Sequence, residues 1–464
     1  MEGMRMLDGE QIYRDFFRFI PPGTDYLYAA VFSLFGARVW VTNLVDLALG
    51  VGLAWLCFSI SAKLMKDHLA CLTTALYSVF VYGKSPNGTH HFFAVLAIAG
   101  ALNVLMGGIS RARLAIAGIL FAVAAFFNQV HGATALVGVS LFLVWRHVHT
   151  RGRPAEFIRN LASLLLGFAP AFFLLNAYPI GTVGLKQLWY CQVIYVWKFK
   201  AYSPGMWSFG LLGPLSEPLT PMSLLKSVPY LSILVLLPPV FCVAFWLCWS
   251  QRNNSSFPWE RFTLLTVVGS LLLAEITVAV TWFRVFTVSL FGVILFVWML
   301  AQTPRLMRYA FTLGWVLVLG LAAEQLIAVH TSNSVKAEFP GGYFATSPQE
   351  YDELHWIERL TKPGDPFLEV DWTGVYLPLR LKNPLYVASL DPWDAPRVED
   401  IELAIQQIES KKVRYILREK TVDWWCGLGH PCPVTIAYFQ TYLQTAFTCQ
   451  HTFPNGDTLW RKDN

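Results

Sequence analysis

The sequence predicts an all-α polytopic membrane bundle of about ten transmembrane helices, followed by a small C-terminal α/β domain. Three observations lead there. Of the 464 residues, 55% are hydrophobic and only 14% charged, at a mean hydropathy of +0.46, whereas soluble domains carry about 25% charge. The apolar residues gather into long runs, with Lys and Arg clustered between them. Beyond Thr331 the runs stop and short strand and helix patterns begin.

The apolar spans are Val39–Ile60, Leu69–Tyr82, Phe92–Ile109, Arg113–Phe127, Ala133–Trp145, Phe157–Leu175, Tyr230–Trp249, Phe262–Thr281, Val285–Ala301 and Tyr309–His330. A crossing helix needs about 20 residues. The second, fourth and fifth spans are shorter, which implies tilt, a break or an extension past these limits. Trp and Tyr flank many of the runs, where interfacial belts form.

Charge orients the bundle. One set of loops holds Lys63 and Lys66, Arg111 and Arg113, Arg146 to Arg159, Arg252 and Arg261, and Arg305 and Arg308; the alternate short loops hold little beyond Lys84 and Arg284. The positive-inside rule makes the first set cytoplasmic in an inner (plasma) membrane. Residues 1–38, the long 176–229 loop within a membrane domain of residues 39–330, and residues 331–464 then lie outside. An external start with no apolar span ahead of it implies a further helix upstream of Met1.

In the C-terminal part, Phe367–Trp372, Pro384–Ser389 and Val413–Arg418 read as strands. Val398–Ser410 is an amphipathic helix, with Ile401, Ala404, Ile405 and Ile408 at helical spacing, and Val434–Ala446 is a second helix. Cys449–Arg461 is a hairpin around Pro454-Asn455-Gly456-Asp457.

The net charge of +5, spread over topology-setting clusters, excludes a nucleic-acid surface. The absence of a Gly-rich phosphate loop argues against a nucleotide-sugar site. Of eight Cys, Cys426 and Cys432 flank a short turn expected to lie outside. A disulfide is expected there, with a zinc site using His430 as the weaker alternative.

The segment Leu7–Gly36, LDGEQIYRDFFRFIPPGTDYLYAAVFSLFG, is dense in Tyr, Phe, Arg and Asp around a Pro-Pro-Gly turn. A loop of this composition on a rigid scaffold is a place for function, or else an aromatic-anchored loop lying on the interface. Asp15 with Arg14 beside it is either a working carboxylate or half of a loop salt network. Asp46, Glu275 and Glu324 fall within spans and Arg284 at a span end. Ionisable residues at such depth mark functional sites by default, with mutual pairing as the alternative. Lys84 is a second cation at that level. His90 and His91 read as interface residues, and Gln129 and His131 occupy a tight turn where they either contact a ligand or cap a helix.

The Leu7–Gly36 run resembles the first external loop of the GT-C superfamily of polyprenyl-phosphate-sugar glycosyltransferases. In particular it resembles the protein O-mannosyltransferase and aminoarabinose-transferase branch, glycosyltransferase family 39 and its bacterial relatives. The stretches LPLRLKNPLY at Leu377–Tyr386 and KKVRYIL at Lys411–Leu417 look like the exoplasmic domain of the same bacterial members. The resemblance implies a GT-C bundle that transfers a sugar from a polyprenyl-phosphate donor to a lipid, glycan or protein acceptor. A carboxylate would serve as base and basic residues would neutralise the leaving phosphate. It casts Asp15 and Asp46 as catalytic candidates. It makes Tyr13, Arg14, Lys84, Gln129, His131, Glu275 and Arg284 substrate-binding ones, Arg284 being the preferred phosphate ligand. No resident cofactor or metal ligand set is implied, a divalent cation being the alternative. In the family the catalytic acid stands shortly before the motif, at the end of a first helix. Glu2 comes several residues too late, so the chain is expected to lack that base. The rival class is a lipid-linked-sugar transporter or membrane scaffold. Against a transporter, the sequence shows neither repeated halves nor paired broken helices.

Overall fold

The computed structural model describes residues 1–200, 220–278, 280–371, 373–392, 394–423, 426 and 432–462. The chain divides into two compact units. One gathers Met1–Leu44, Thr182–Lys200 and Ala328–Asn464; the other gathers Val45–Gly181 and Ala201–Ile327. The expected parts 1–38 and 331–464 therefore fall in one unit, together with a piece of the 176–229 loop.

In order, the described helices that matter here are α1 (Glu2–Leu7), α2 (Gly23–Phe35), α3 (Val39–Ala62), α4 (Asp67–Leu76), α5 (His90–Leu105), α6 (Arg111–Phe127), α7 (Gln129–Thr150) and α8 (Pro154–Leu175). They continue as α9 (Ala177–Val183), α10 (Leu185–Trp189), α11 (Pro221–Ser250), α12 (Trp259–Ile276), α13 (Trp282–Ala301) and α14 (Pro304–Ser332). Every expected apolar span overlaps one of these helices. Among the described residues, α3, α8, α11, α13 and α14 are long and apolar enough to cross a membrane by length and composition. The chain is a multi-pass membrane protein.

Burial sorts the helices. In α8 and α14 only 17% of the apolar window is buried, against 67% in α13. A helix apolar all round and buried all round belongs to the core, whereas one apolar but bare faces lipid. The short helix α5, HHFFAVLAIAGALNVL, is buried on nearly every side and is a core helix. Helices α6 and α8 approach closely at glycines. A Cβ on Gly118 would stand 2.2 Å from the Leu164 carbonyl oxygen, and one on Gly167 would stand 2.1 Å from that of Ala115. Small residues at such a crossing let two backbones touch, which is how helices gain packing where lipid supplies no hydrophobic drive.

The short spans resolve in two ways. The second breaks: α4 ends at Leu76 and the chain continues as a π-turn over Tyr77–Val81 and a 3₁₀ turn over Tyr82–Lys84. The fourth and fifth extend, to Arg111–Phe127 and Gln129–Thr150. The seventh starts earlier, at Pro221, because Thr220 and Ser223 form a reciprocal capping box.

The C-terminal part opens with a hairpin, β1 (Val335–Phe339) and β2 (Gly342–Thr346), followed by α15 (Pro348–Leu360). A four-stranded sheet of β3 (Leu368–Glu369), β4 (Tyr415–Arg418), β5 (Phe447–Thr452) and β6 (Thr458–Lys462) has the order β3-β4-β6-β5. Strands β3 and β4 run parallel and the other neighbours antiparallel. Helices α16 (Tyr376–Leu379), α17 (Val398–Ser410) and α18 (Val434–Ala446) complete it. Phe339, Leu354, Ile357, Phe367, Tyr376 and Leu417 share one buried cluster.

Several expectations are corrected. Pro384–Ser389 is not a strand, because side chains take over its backbone. The Asn383 amide donates to the Ala388 carbonyl and its oxygen accepts from the Leu385 N–H; Arg5 and Lys411 donate to the Leu385 and Pro384 carbonyls. The strand expected at Phe367–Trp372 shrinks to Leu368–Glu369, and Trp372 lies outside the described residues. Residues 1–38 are not loop throughout but carry α1 and α2. Cys426 and Cys432 are joined by a disulfide; His430, the alternative zinc ligand, lies outside the described residues.

Candidate functional site

The membrane unit holds a chain of polar groups at the starts of α5 and α7 and the end of α12. Asn128 ends α6 and caps α7: its side-chain oxygen accepts from the Val130 and His131 N–H groups. That fixes the direction of its amide, whose nitrogen lies 3.2 Å from His91 Nδ1 on α5. His91 Nδ1 is therefore an acceptor. His131 Nε2, 3.1 Å from the same atom, must then donate, while His131 Nδ1 lies 2.6 Å from Glu275 Oε2 on α12. The fully buried His131 imidazole thus links His91 to a carboxyl whose side chain is 18% exposed. Arg284, at the start of α13, interacts electrostatically with Glu275, and its guanidinium lies 5.9 Å from the Phe283 ring, which in turn packs on His91.

Two further charged groups sit apart from this chain in the same unit. The Lys84 ammonium, held by the 3₁₀ turn after the break in α4, lies 2.9 Å from the Glu324 carboxylate of α14, and both side chains are nearly buried. Asp46 receives the Tyr82 hydroxyl on its backbone carbonyl at 2.5 Å, with the Tyr82 ring lying over Gly50. Among the described residues, one buried oxygen of the Asp46 carboxylate has no hydrogen-bond partner.

In the other unit the YRDFF motif folds as a tight turn. Tyr13 takes a left-handed φ of 68°, and its N–H donates to the Phe16 carbonyl at 2.8 Å. Asp15 closes the turn. Its Oδ2 accepts from the Gln11 N–H at 2.7 Å and from the Arg14 guanidinium at 2.7 Å, and its Oδ1 accepts from Arg14 Nε at 3.0 Å. Arg14 is well exposed and Asp15 partly so. Tyr13 is buried: its hydroxyl donates to the Ile20 carbonyl at 2.7 Å and accepts from the Gln192 amide at 2.9 Å.

Sequence reasoning missed the buried charges around that turn. Arg18 lies between Glu2, at 3.4 Å, and Asp25, at 3.6 Å. Burial, with the nearby Glu2 charge adding to it against the pull of Arg18, pushes the Asp25 carboxyl up to about 6. Arg5 donates to Glu10 at 2.6 Å and lies over the Phe16 ring at 4.7 Å. The spacing of Glu2, Arg18 and Asp25 carries no periodic signal; only the closed turn brings them together. His91, read as an interface residue, is buried and joins the His131–Glu275 chain. Its signal was the polar residue itself on an otherwise apolar helix. Helix capping at the 128–132 turn is done by Asn128 and not by Gln129 or His131. Gln129 is half-buried at the first turn of α7. Among the described residues no group of three His, Cys, Asp or Glu is arranged to hold a metal ion.

No protein-family model matches the chain, and no curated protein sequence does. Solved structures do resemble it. ArnT from Cupriavidus metallidurans bound to undecaprenyl phosphate is 10% identical and superposes with a TM-score of 0.56, over 99% of this chain and 91% of that one. The archaeal oligosaccharyltransferase AglB from Archaeoglobus fulgidus, in complex with an inhibitory peptide and a dolichol-phosphate, is 11% identical, with a TM-score of 0.49 over 100% and 69% of the two chains. An Archaeoglobus fulgidus oligosaccharyltransferase complex with Zn and sulfate gives 11% identity and a TM-score of 0.44, over 97% and 66%. The chain spans about two thirds of the length of these archaeal proteins. At this identity the ArnT likeness speaks to fold: the chain has the GT-C fold.

Proposed function

We propose that this protein is an integral-membrane glycosyltransferase that moves a sugar from a polyprenyl-phosphate donor to an acceptor hydroxyl on the outer face of an inner membrane, with the α/β part extracytoplasmic. One observation carries the reading: the fold is shared with ArnT over nearly the whole of both chains, and that structure holds undecaprenyl phosphate. In the reaction, the acceptor oxygen bonds to the anomeric carbon, the bond from that carbon to phosphate breaks, and polyprenyl phosphate leaves with the electron pair. The acceptor proton goes to a carboxylate, and cations neutralise the departing phosphate.

The geometry supports the following residue roles. Arg284 is the leading phosphate ligand; Lys84 is the weaker one, because Glu324 already neutralises it. Asp46 is favoured over Asp15 as the base, because one Asp46 oxygen has no hydrogen-bond partner while both Asp15 oxygens are engaged. Asp25, with its carboxyl raised to about 6, holds Arg18 in place. Gln129, His131 and Glu275 contact the sugar or the acceptor, and Tyr13 and Arg14 shape the loop.

The test is reconstitution of the full chain in nanodiscs with radiolabelled polyprenyl-phosphate sugars. Release of polyprenyl phosphate with transfer or hydrolysis of the sugar is expected. Absence of both for every donor in the panel overturns the proposal.

A further inference from the structure

The unit that contains the motif turn also contains a cleft that none of the roles above use. Its volume is about 120 Å³, and one wall is aromatic. Phe17, which follows the turn, meets the Tyr195 ring edge-on at 4.5 Å and the Tyr386 ring at 6.1 Å. Tyr190 lines the mouth and is 36% exposed. The rest of the lining is polar: Asp394, Arg397, Asp400 and Gln407. These groups are preset. Arg397 Nε donates to Asp400 Oδ2 at 3.0 Å, Gln407 Oε1 accepts from the Tyr386 N–H at 2.7 Å, and the Tyr195 hydroxyl donates to the Asp394 carbonyl at 3.3 Å. Backbone pairing secures the wall as well, since Phe17 N–H donates to the Tyr386 carbonyl at 2.6 Å.

We infer that this cleft binds a saccharide, the carbohydrate part of the acceptor. The word "acceptor" rests on the transferase reading; the binding itself does not. Three features select the ligand class. Rings give flat apolar faces against which the C–H face of a pyranose packs. Carboxylate, guanidinium and carboxamide groups stand together, and a sugar's neighbouring hydroxyls, each both donor and acceptor, satisfy all three types at once. The lining carries two carboxylates against one guanidinium, so an anionic phosphate headgroup is disfavoured. A few placed polar groups on a largely apolar, preformed wall are also the usual anatomy of a small-molecule site.

The experiment uses the full chain in nanodiscs, fluorescently labelled, on an array of glycans and of Ser- and Thr-containing peptides. Wild-type protein is expected to bind a subset of glycans. Tyr190→Ala and Arg397→Ala are each expected to lose at least tenfold in affinity, while Tyr190→Phe, which keeps the ring, retains most of it. Donor hydrolysis by all three variants is expected at the wild-type rate. Binding to no glycan, binding to peptides alone, or glycan binding unchanged in both alanine variants overturns the assignment. If glycans bind as expected but wild-type protein neither transfers nor hydrolyses any donor, the transferase reading fails and the cleft assignment stands.

Discussion

The two units bury their charges by different routes. Around the YRDFF turn, Glu2, Arg18 and Asp25 come from one short stretch, and the neighbouring Arg14–Asp15 pair is exposed. In the membrane unit, Lys84 finds Glu324 across 240 residues and His131 finds Glu275 across 144. The Arg14–Asp15 pair stands near water, which substitutes for either partner when one is removed. A charge inside an apolar bundle has no such substitute, so its loss costs the desolvation of whatever is left behind. The same type of contact therefore carries different weight in the two regions.

The sharpest break of that comparison is Glu324→Ala. It strands the Lys84 ammonium among apolar helices, and a loss of about 3–5 kcal/mol is expected, read from thermal unfolding by tryptophan fluorescence in detergent. Replacing both partners with Leu should recover most of it. A single-variant loss below about 1 kcal/mol, the scale of an exposed pair, would show that water reaches the Lys84 ammonium. Next comes Arg284→Ala, expected to weaken polyprenyl-phosphate binding by about 1.5–3 kcal/mol, the scale of a charge-assisted hydrogen bond. Native mass spectrometry of the folded variant reads it, and unchanged affinity assigns Arg284 to structure alone.

In the loop unit the effects are smaller. Tyr13→Phe removes one donated and one accepted hydrogen bond at a buried site, and a loss of about 1–2 kcal/mol is expected; proteolysis of the 1–38 region reports it. The Asp25 carboxyl is raised from 3.8 to about 6 on folding. In that window the folded state therefore binds more proton than the unfolded one, and stability falls as pH rises from about 4 to about 6. Asp25→Asn should flatten that slope in pH-dependent melts; an unchanged slope would mean that Asp25 is ionised throughout. The smallest effect is expected for Arg14→Ala, whose pair with Asp15 is exposed: a change within about 0.5 kcal/mol. A larger loss there would erase the contrast between the units.

The apolar helices were legible in the sequence because hydrophobic run length is a local property. The helices Val398–Ser410 and Val434–Ala446 fell within the same bounds as read, since their apolar spacing needs no distant partner. The hairpin and helix at 335–360 were missed although Ser347-Pro348 with Glu350 is a helix-start signal. Pro384–Ser389 looked like a strand because its residues favour one. It became irregular because Arg5, Asn383 and Lys411 bind its backbone from elsewhere. The sequence also singled out Asp46, Lys84, His131, Glu275 and Arg284, because a polar residue inside an apolar run stands out on its own. Which of them meet was decided only by tertiary structure. The chain Asn128–His91–His131–Glu275, the Lys84–Glu324 pair and the cleft beside Phe17 each join residues whose separation in sequence follows no period. They form because an unpaired polar group in a buried position costs more than the packing needed to bring it a partner.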